Sequence, residues 1–116
     1  MNFLGMPWVQ MQIGQLLSQP PYPGTLNLRI GPEIHSLIFS KRKSFYCIAD
    51  PSDPSCPGYL KSILMRTSQR SYEDGFLIVP DRSVYEDVLE IVSAVHLRSE
   101  LGISDGDRID LEADIE

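Results

Sequence analysis

A mainly β domain with short helices, its six strands curled into a small closed or nearly closed barrel, is the fold class this chain predicts. Three observations lead there. Nine prolines and eight glycines are spread over 116 residues, a density of turn formers that works against an all-helical bundle. Short apolar runs recur between Asp-Pro, Cys-Pro-Gly, Glu-Asp-Gly and Asp-Gly-Asp signals, the punctuation of strands and turns. At this length one core is all the side chains can fill, which predicts a single domain over residues 1–116.

Taken in order, Val9, Ile13, Leu16 and Leu17 fall at i, i+4, i+7 and i+8. This spacing predicts a helix over 7–18, opened by Pro7 in its first turn and ended by Pro20 and Pro21. Gly14 costs that helix about 1 kcal/mol relative to alanine, so it must lean on packing. Leu26, Leu28 and Ile30 alternate with Asn27 and Arg29, the period-2 pattern of a half-buried strand with Asn27 facing away from the leucines. Further strands are expected at 44–49, 60–67, 76–79, 89–94 and 108–113. The segment from His96 to Leu101, closed by Gly102, reads as a short helix. Residues 50–57, with three prolines and two serines, read as a loop, and Ser40-Lys41-Arg42-Lys43 as a solvated turn.

Composition narrows the functions open to such a domain. The formal net charge is −6, and it is lopsided: residues 1–71 hold seven bases and three acids, residues 72–116 three bases and thirteen acids. A strongly acidic half disfavours a phosphate backbone, so no nucleic-acid partner is expected. No apolar run approaches the ~20 residues of a membrane span, and residues 1–4 lack the basic segment and long apolar run of a secretory signal, which makes a cytoplasmic location the default. Cys47 and Cys56 have no zinc or redox spacing and are expected to be unrelated reduced thiols. Two scattered histidines, His35 and His96, are too few for an all-protein transition-metal cage.

The densest cluster of unusual residues is Pro20-Pro21-Tyr22-Pro23-Gly24-Thr25-Leu26-Asn27-Leu28. Gly24 lets a backbone approach a ligand closely, and Thr25 and Asn27, two apart on a strand, share one side. A hydroxyl and an amide oxygen there offer two neutral ligands to a hard cation. Mg²⁺ takes one or two protein oxygens and completes its shell with phosphate and water.

The stretch PYPGTLNLRI, with DGFLIVPDRSVYEDVLEIVSAVHLRSELGISDGDRIDL, resembles the archaeal-type CTP-dependent riboflavin kinase family. Together the two segments cover 48 of the 116 residues, in the family's order. The resemblance implies a cradle-loop β-barrel that transfers the γ-phosphate of CTP to riboflavin, giving FMN and CDP with Mg²⁺. It implies Thr25 and Asn27 as metal ligands, Ser83 and Glu90 as flavin contacts, and Val95, His96, Leu97 and Arg98 as nucleotide contacts. Phosphoryl transfer is mostly alignment and charge stabilisation. On that ground Arg98 is assigned as the catalytic cation, and Glu90 as the group that orients the riboflavin 5′-hydroxyl or accepts its proton.

Each residue also has a plainer reading: Thr25 satisfying turn backbone, Asn27 facing solvent, Arg98 paired with Glu100 or Asp105, Trp8 and Tyr85 in the core. For His96 the plainer reading is preferred, since the family commonly has lysine there. Ser83 stands where the family has threonine, Ala94 where it prefers proline, and a residue is lacking near Val84. The family's Ser-Gly-x-Gly-x-Gly phosphate cradle has no counterpart in residues 1–19, which line up with the helix that follows it. Two readings therefore stay open: a kinase whose start was assigned too late, or a barrel that binds flavin or nucleotide without turnover. An incomplete barrel leaves an edge, so the chain is expected to be a monomer or a weak dimer through that edge.

Overall fold

The computed structural model describes residues 6–49, 52, 55–82 and 87–114. Helix α1 (Pro7–Leu17) has proline in its first turn and ends at Ser18, whose φ of 61° turns the chain out of the helix. Strand β1 (Leu26–Arg29) follows, then helix α2 (Pro32–Ser40) and a single 3₁₀ turn at Arg42–Ser44. The remaining elements are β2 (Tyr46–Ile48), β3 (Gly58–Arg66), β4 (Ser71–Pro80), β5 (Val88–Val92), α3 (Leu97–Leu101) and β6 (Asp110–Glu112).

The six strands make one antiparallel sheet in the order β1-β5-β4-β3-β2, with β6 paired to β3 as well. β2 takes residues 58–60 of β3 and β6 takes residues 64–66, so two short strands share one long edge. The sheet curls as a half-barrel. Among the described residues no ladder joins β1 to β2 or β6, and the barrel is open there.

All six expected strands are present, and β4 is longer than its apolar run. Its first residues, Ser71 to Asp74, are polar, but Ser71 and Tyr72 pair with Arg66 and Met65 at the end of β3, beyond a bulge between Ile63 and Met65. The helix expected at 7–18 and the one before Gly102 are both found, Gly102 adopting φ 66°. Helix α2 was not expected. Its first turn carries Pro32 and Glu33, both good helix-start residues. The basic run at 41–43 is mostly helical turn, and Arg42 is not solvated: its guanidinium pairs with Asp81 at 3.3 Å and covers the Phe39 ring at 4.0 Å.

Strand alternation divides the core in two. On one face Leu26, Ile63, Met65, Leu77, Val79, Leu89 and Ile91 pack with Ile38 of α2 and with Leu97 and Leu101 of α3. On the other, Ile48, Leu60, Ile78 and Val92 are covered by Val9 and Ile13 of α1, with Trp8 against this cluster. Gln12 anchors α1 further by exchanging hydrogen bonds with the backbone of Ala49, donating at 2.5 Å and accepting at 3.3 Å. Gly14 is thus carried by a helix whose stability comes from burial rather than propensity.

The cysteines correct the sequence expectation. Cys47 and Cys56 are joined as a disulfide with Cα atoms 5.8 Å apart. Linear spacing hides this because the pairing is set by the β2–β3 register, in which Cys47 stands opposite Tyr59, just beyond Cys56 in the chain.

Gly75 has a packing reason to be glycine. A Cβ there would lie 2.5 Å from Met65 Cε and 3.4 Å from Ile91 Cγ2, and both side chains are fully buried. Gly75→Ala is expected to destabilise the fold by about 1–3 kcal/mol through overpacking, read as a lower denaturant midpoint. An unchanged midpoint would show that Met65 has room to move.

Candidate functional site

The site begins with β1 and β5. Their register pairs Leu26 with Ile91, Asn27 with Glu90, and Leu28 with Leu89. Leu26, Leu89 and Ile91 are buried, which forces Asn27 and Glu90 together onto the opposite, exposed face. Directly paired antiparallel residues hold their Cβ atoms about 5 Å apart, so amide and carboxylate are neighbours. Thr25 extends this row, its hydroxyl donating to Asn27 Oδ1 at 3.4 Å.

The oxygens of Thr25 and Asn27 suit a hard cation. Two adjacent ligands of an octahedral Mg²⁺ at about 2.1 Å stand about 3 Å apart, close to the 3.4 Å between this pair. Both are neutral and partly or fully exposed, leaving the rest of a coordination shell to water or phosphate. Among the described residues no group of three or more His, Cys, Asp or Glu side chains is placed to hold a metal.

At one end of the row lies a cleft of about 280 Å³, lined by Tyr22 to Leu26 on one side and by Ile91, Ser93 and Val95 to Arg98 on the other. The two walls are tied by a hydrogen bond from Tyr22 N to Ser93 O at 2.8 Å. Ser93 is 2% exposed; its hydroxyl donates to Val95 O at 2.7 Å and accepts from Val95 N at 3.1 Å. That bracket turns the chain from β5 into α3. The His96 ring lies 5.0 Å from that of Tyr22, and its Nδ1 is 2.7 Å from Ser99 Oγ. Arg98 reaches the cleft while its Nη1 pairs with Asp105 Oδ1 at 2.6 Å.

Beyond the other side of the row is a more apolar pocket of about 250 Å³, walled by His35, Ile38 and Phe39 of α2, residues 78–80 and 82, and residues 88–90. It exists because β4 and β5 part. Their ladder runs from Phe76–Val92 to Ile78–Glu90 and stops. Val79 and Pro80 go on pairing with β3, and Val88 and Leu89 with β1. Glu90 stands at the last paired rung, between pocket and row.

Of the residues proposed from the sequence, Thr25, Val95, His96, Leu97 and Arg98 meet around the cleft, and Asn27 and Glu90 lie side by side next to it. The Leu97 side chain belongs to the core, which leaves its backbone for any ligand. Arg98 makes one of the ion pairs its plainer reading named, with Asp105. Ser83 and Tyr85 lie outside the described residues. Sequence reasoning missed the walls: Tyr22 and Ser93 in the cleft, His35 and Phe39 in the pocket. Tyr22 sits in the Pro-Pro-Tyr-Pro-Gly run already singled out, so a signal existed; α2 went unread, and its pocket residues with it.

A polar cleft and a more apolar pocket thus flank one strand of a small half-barrel sheet. The chain belongs to the CTP-dependent riboflavin kinase family, whose model, described as "Domain of unknown function DUF120", matches residues 1–113. It is similar to the riboflavin kinases of Thermoplasma volcanium (34% identity, covering 88% of this chain and 46% of that one) and Archaeoglobus fulgidus (30%, covering 95% and 47%). It is also 38% identical to the riboflavin kinase of Aeropyrum pernix over 80% of this chain and 71% of that one. The chain spans about half the length of the first two relatives. No helix among the described residues is long and apolar enough to cross a membrane.

Behind the cleft, burial pushes the Tyr72 phenol above its ordinary value of about 10, the carboxylates of Asp74 and Glu100 adding to the rise and a hydrogen bond with Ser93 opposing it. The folded value lies above the unfolded one, so the native state holds this proton more tightly. Stability is therefore lost as pH rises through about 10 toward the folded value. Tyr72→Phe removes that loss: relative to wild type, its urea midpoint is expected to improve on going from about pH 9 to about pH 11. A pH-independent difference would remove Tyr72 from the alkaline transition.

Proposed function

We propose that this chain is a CTP-dependent riboflavin kinase, transferring the γ-phosphate of CTP to the 5′-hydroxyl of riboflavin to give FMN and CDP. The observation that carries the reading is the pairing of Asn27 with Glu90 between a polar cleft and an apolar pocket. Donor and acceptor held in the two hollows would meet at that row, and holding two reactants in line supplies much of the rate in phosphoryl transfer.

The cleft takes the nucleotide, with Val95, His96 and the Leu97 backbone along it. Arg98 faces the phosphates. Asp105 engages one of the five N–H donors of its guanidinium, leaving the others for phosphate oxygens. The pocket takes the flavin. Glu90 at its border accepts the 5′-hydroxyl proton as that oxygen bonds to the γ-phosphorus. The bond from phosphorus to the β,γ-bridging oxygen breaks, and its electrons leave with CDP. Thr25 and Asn27 would hold Mg²⁺, which when bound would neutralise charge on the phosphates. Ser83 is assigned as a flavin contact on the resemblance alone.

The test is FMN formation, followed by chromatography, from riboflavin and Mg²⁺ with either CTP or ATP. FMN with CTP and far less with ATP is the expected result. Riboflavin binding with no turnover by a folded protein would replace the kinase with a flavin-binding barrel. Asn27→Ala is expected to lower kcat by about 100-fold or more and to change stability by under about 0.5 kcal/mol, since Asn27 is exposed. A large fall in Tm for that variant would make Asn27 structural instead.

A further inference from the structure

We propose that His35 recognises the polar edge of the flavin ring, setting which flat heterocycle the apolar pocket accepts; the proposal rests on the assignment of that pocket to the acceptor. His35 is 9% exposed and is the buried polar residue in a wall otherwise made by Ile38, Phe39, Ile78, Val79, Pro80 and Leu89. It falls with Ile38 and Phe39 at i, i+3 and i+4 on the sheet-facing stripe of α2. Its backbone N–H bonds to Gly31 O, while among the described residues no buried side-chain nitrogen or oxygen is left without a partner, so the ring, which makes no hydrogen bond to a described residue, has its nitrogens open to the pocket it lines. A ring that lines a cavity instead of pairing inside the protein has its donor and acceptor available to whatever fills the cavity.

The lining of the pocket points to the class of ligand. Because β4 and β5 part while each remains paired on its far side, the opening lies between two strands with α2 along one wall. Among the described residues the lining is apolar except for three groups, His35, Arg82 and Glu90. Of these Glu90 belongs to the row shared with Asn27, where the ribityl 5′-hydroxyl must arrive. Arg82 is exposed, so His35 of α2 is the buried polar group left to read the ring. An isoalloxazine matches this division, with an apolar dimethylbenzene edge and a polar edge of carbonyls and N–H.

The ring and the ribityl chain are separable in an experiment. Riboflavin and lumiflavin, which carries the ring without the ribityl chain, are titrated against the full chain by quenching of flavin fluorescence, with wild type, His35→Phe and His35→Gln compared and Tm recorded for each. Wild type is expected to bind both. His35→Phe is expected to weaken both by 10-fold or more at unchanged or higher Tm, since phenyl fits an apolar wall, and His35→Gln to recover much of the loss. Equal binding by wild type and both variants overturns the role of His35 while leaving the acceptor pocket in place. Failure of wild type to bind either flavin overturns the pocket assignment, and the role of His35 falls with it. Weakening of riboflavin alone, with lumiflavin unaffected, also overturns it, because the histidine would then be reading the chain and not the ring. Should His35→Phe fail to fold, His35→Leu takes its place, with the same loss for both flavins expected and equal binding again overturning the role of His35.

Discussion

The antiparallel pairing of β1 with β5 is the constraint from which the rest of the molecule follows. Burying Leu26, Leu89 and Ile91 stabilises the curled face, and at roughly 25 cal/mol for each Å² of apolar surface removed from water a register slip here would be prohibitive. The same register leaves no choice about Asn27 and Glu90: they must stand together on the outer face. A polar row is therefore produced by hydrophobic burial, and it is as firmly placed as the core behind it.

What surrounds the row comes from β5 being shared unequally. Along Val92 to Glu90 it pairs with β4; from Ile91 to Val88 it pairs with β1. Only the middle of the strand is held on both sides. Where β4 leaves, the sheet opens into a pocket, and where β5 ends, Ser93 bends the chain into α3 and closes the far wall of the cleft. Two hollows thus arise at the two ends of one five-residue strand. Asp81, near the point of parting, is tied by Arg42 to the end of α2, and Asp81 N bonds to Pro57 O. The opening is braced from both directions rather than being a frayed end.

The strands were legible because their burial is one-sided or complete, and both patterns leave a mark at period 2 or as an apolar run. The same holds for α1, whose buried Val9 and Ile13 are four apart. Helix α2 was unreadable for a physical reason. Its buried stripe is His35 and Ile38, whereas Ile34 and Leu37 are more than half exposed, so hydrophobicity and burial are out of phase by one residue. A helix whose polar residue faces inward does not look amphipathic. The disulfide was hidden differently, since Cys47 and Cys56 are brought together by strand pairing that no linear spacing encodes. In the candidate site, Thr25, Asn27, Glu90 and the run from Val95 to Arg98 were reached by resemblance to a family. Chemistry alone distinguished only the Thr25–Asn27 pair.

That out-of-phase helix bears on function. Evolutionary or not, a polar residue turned inward while two aliphatic ones face water is a local conflict between pattern and fold, and such conflicts concentrate where a protein binds something. In α2 the conflict falls on the helix that walls the apolar pocket, at the residue whose ring opens into it. Replacing His35 by an aliphatic residue would improve the helix as a structural element and complete a dry wall. The energetic preference of the isolated fold is thus for a residue other than the one present. The polar row shows the opposite arrangement, since Asn27 and Glu90 are exposed where the strand pattern wants polar residues and conflict with nothing. The groups proposed for catalysis there would sit on the fold at little cost, while the proposed ring recognition lies inside it against the fold's own preference.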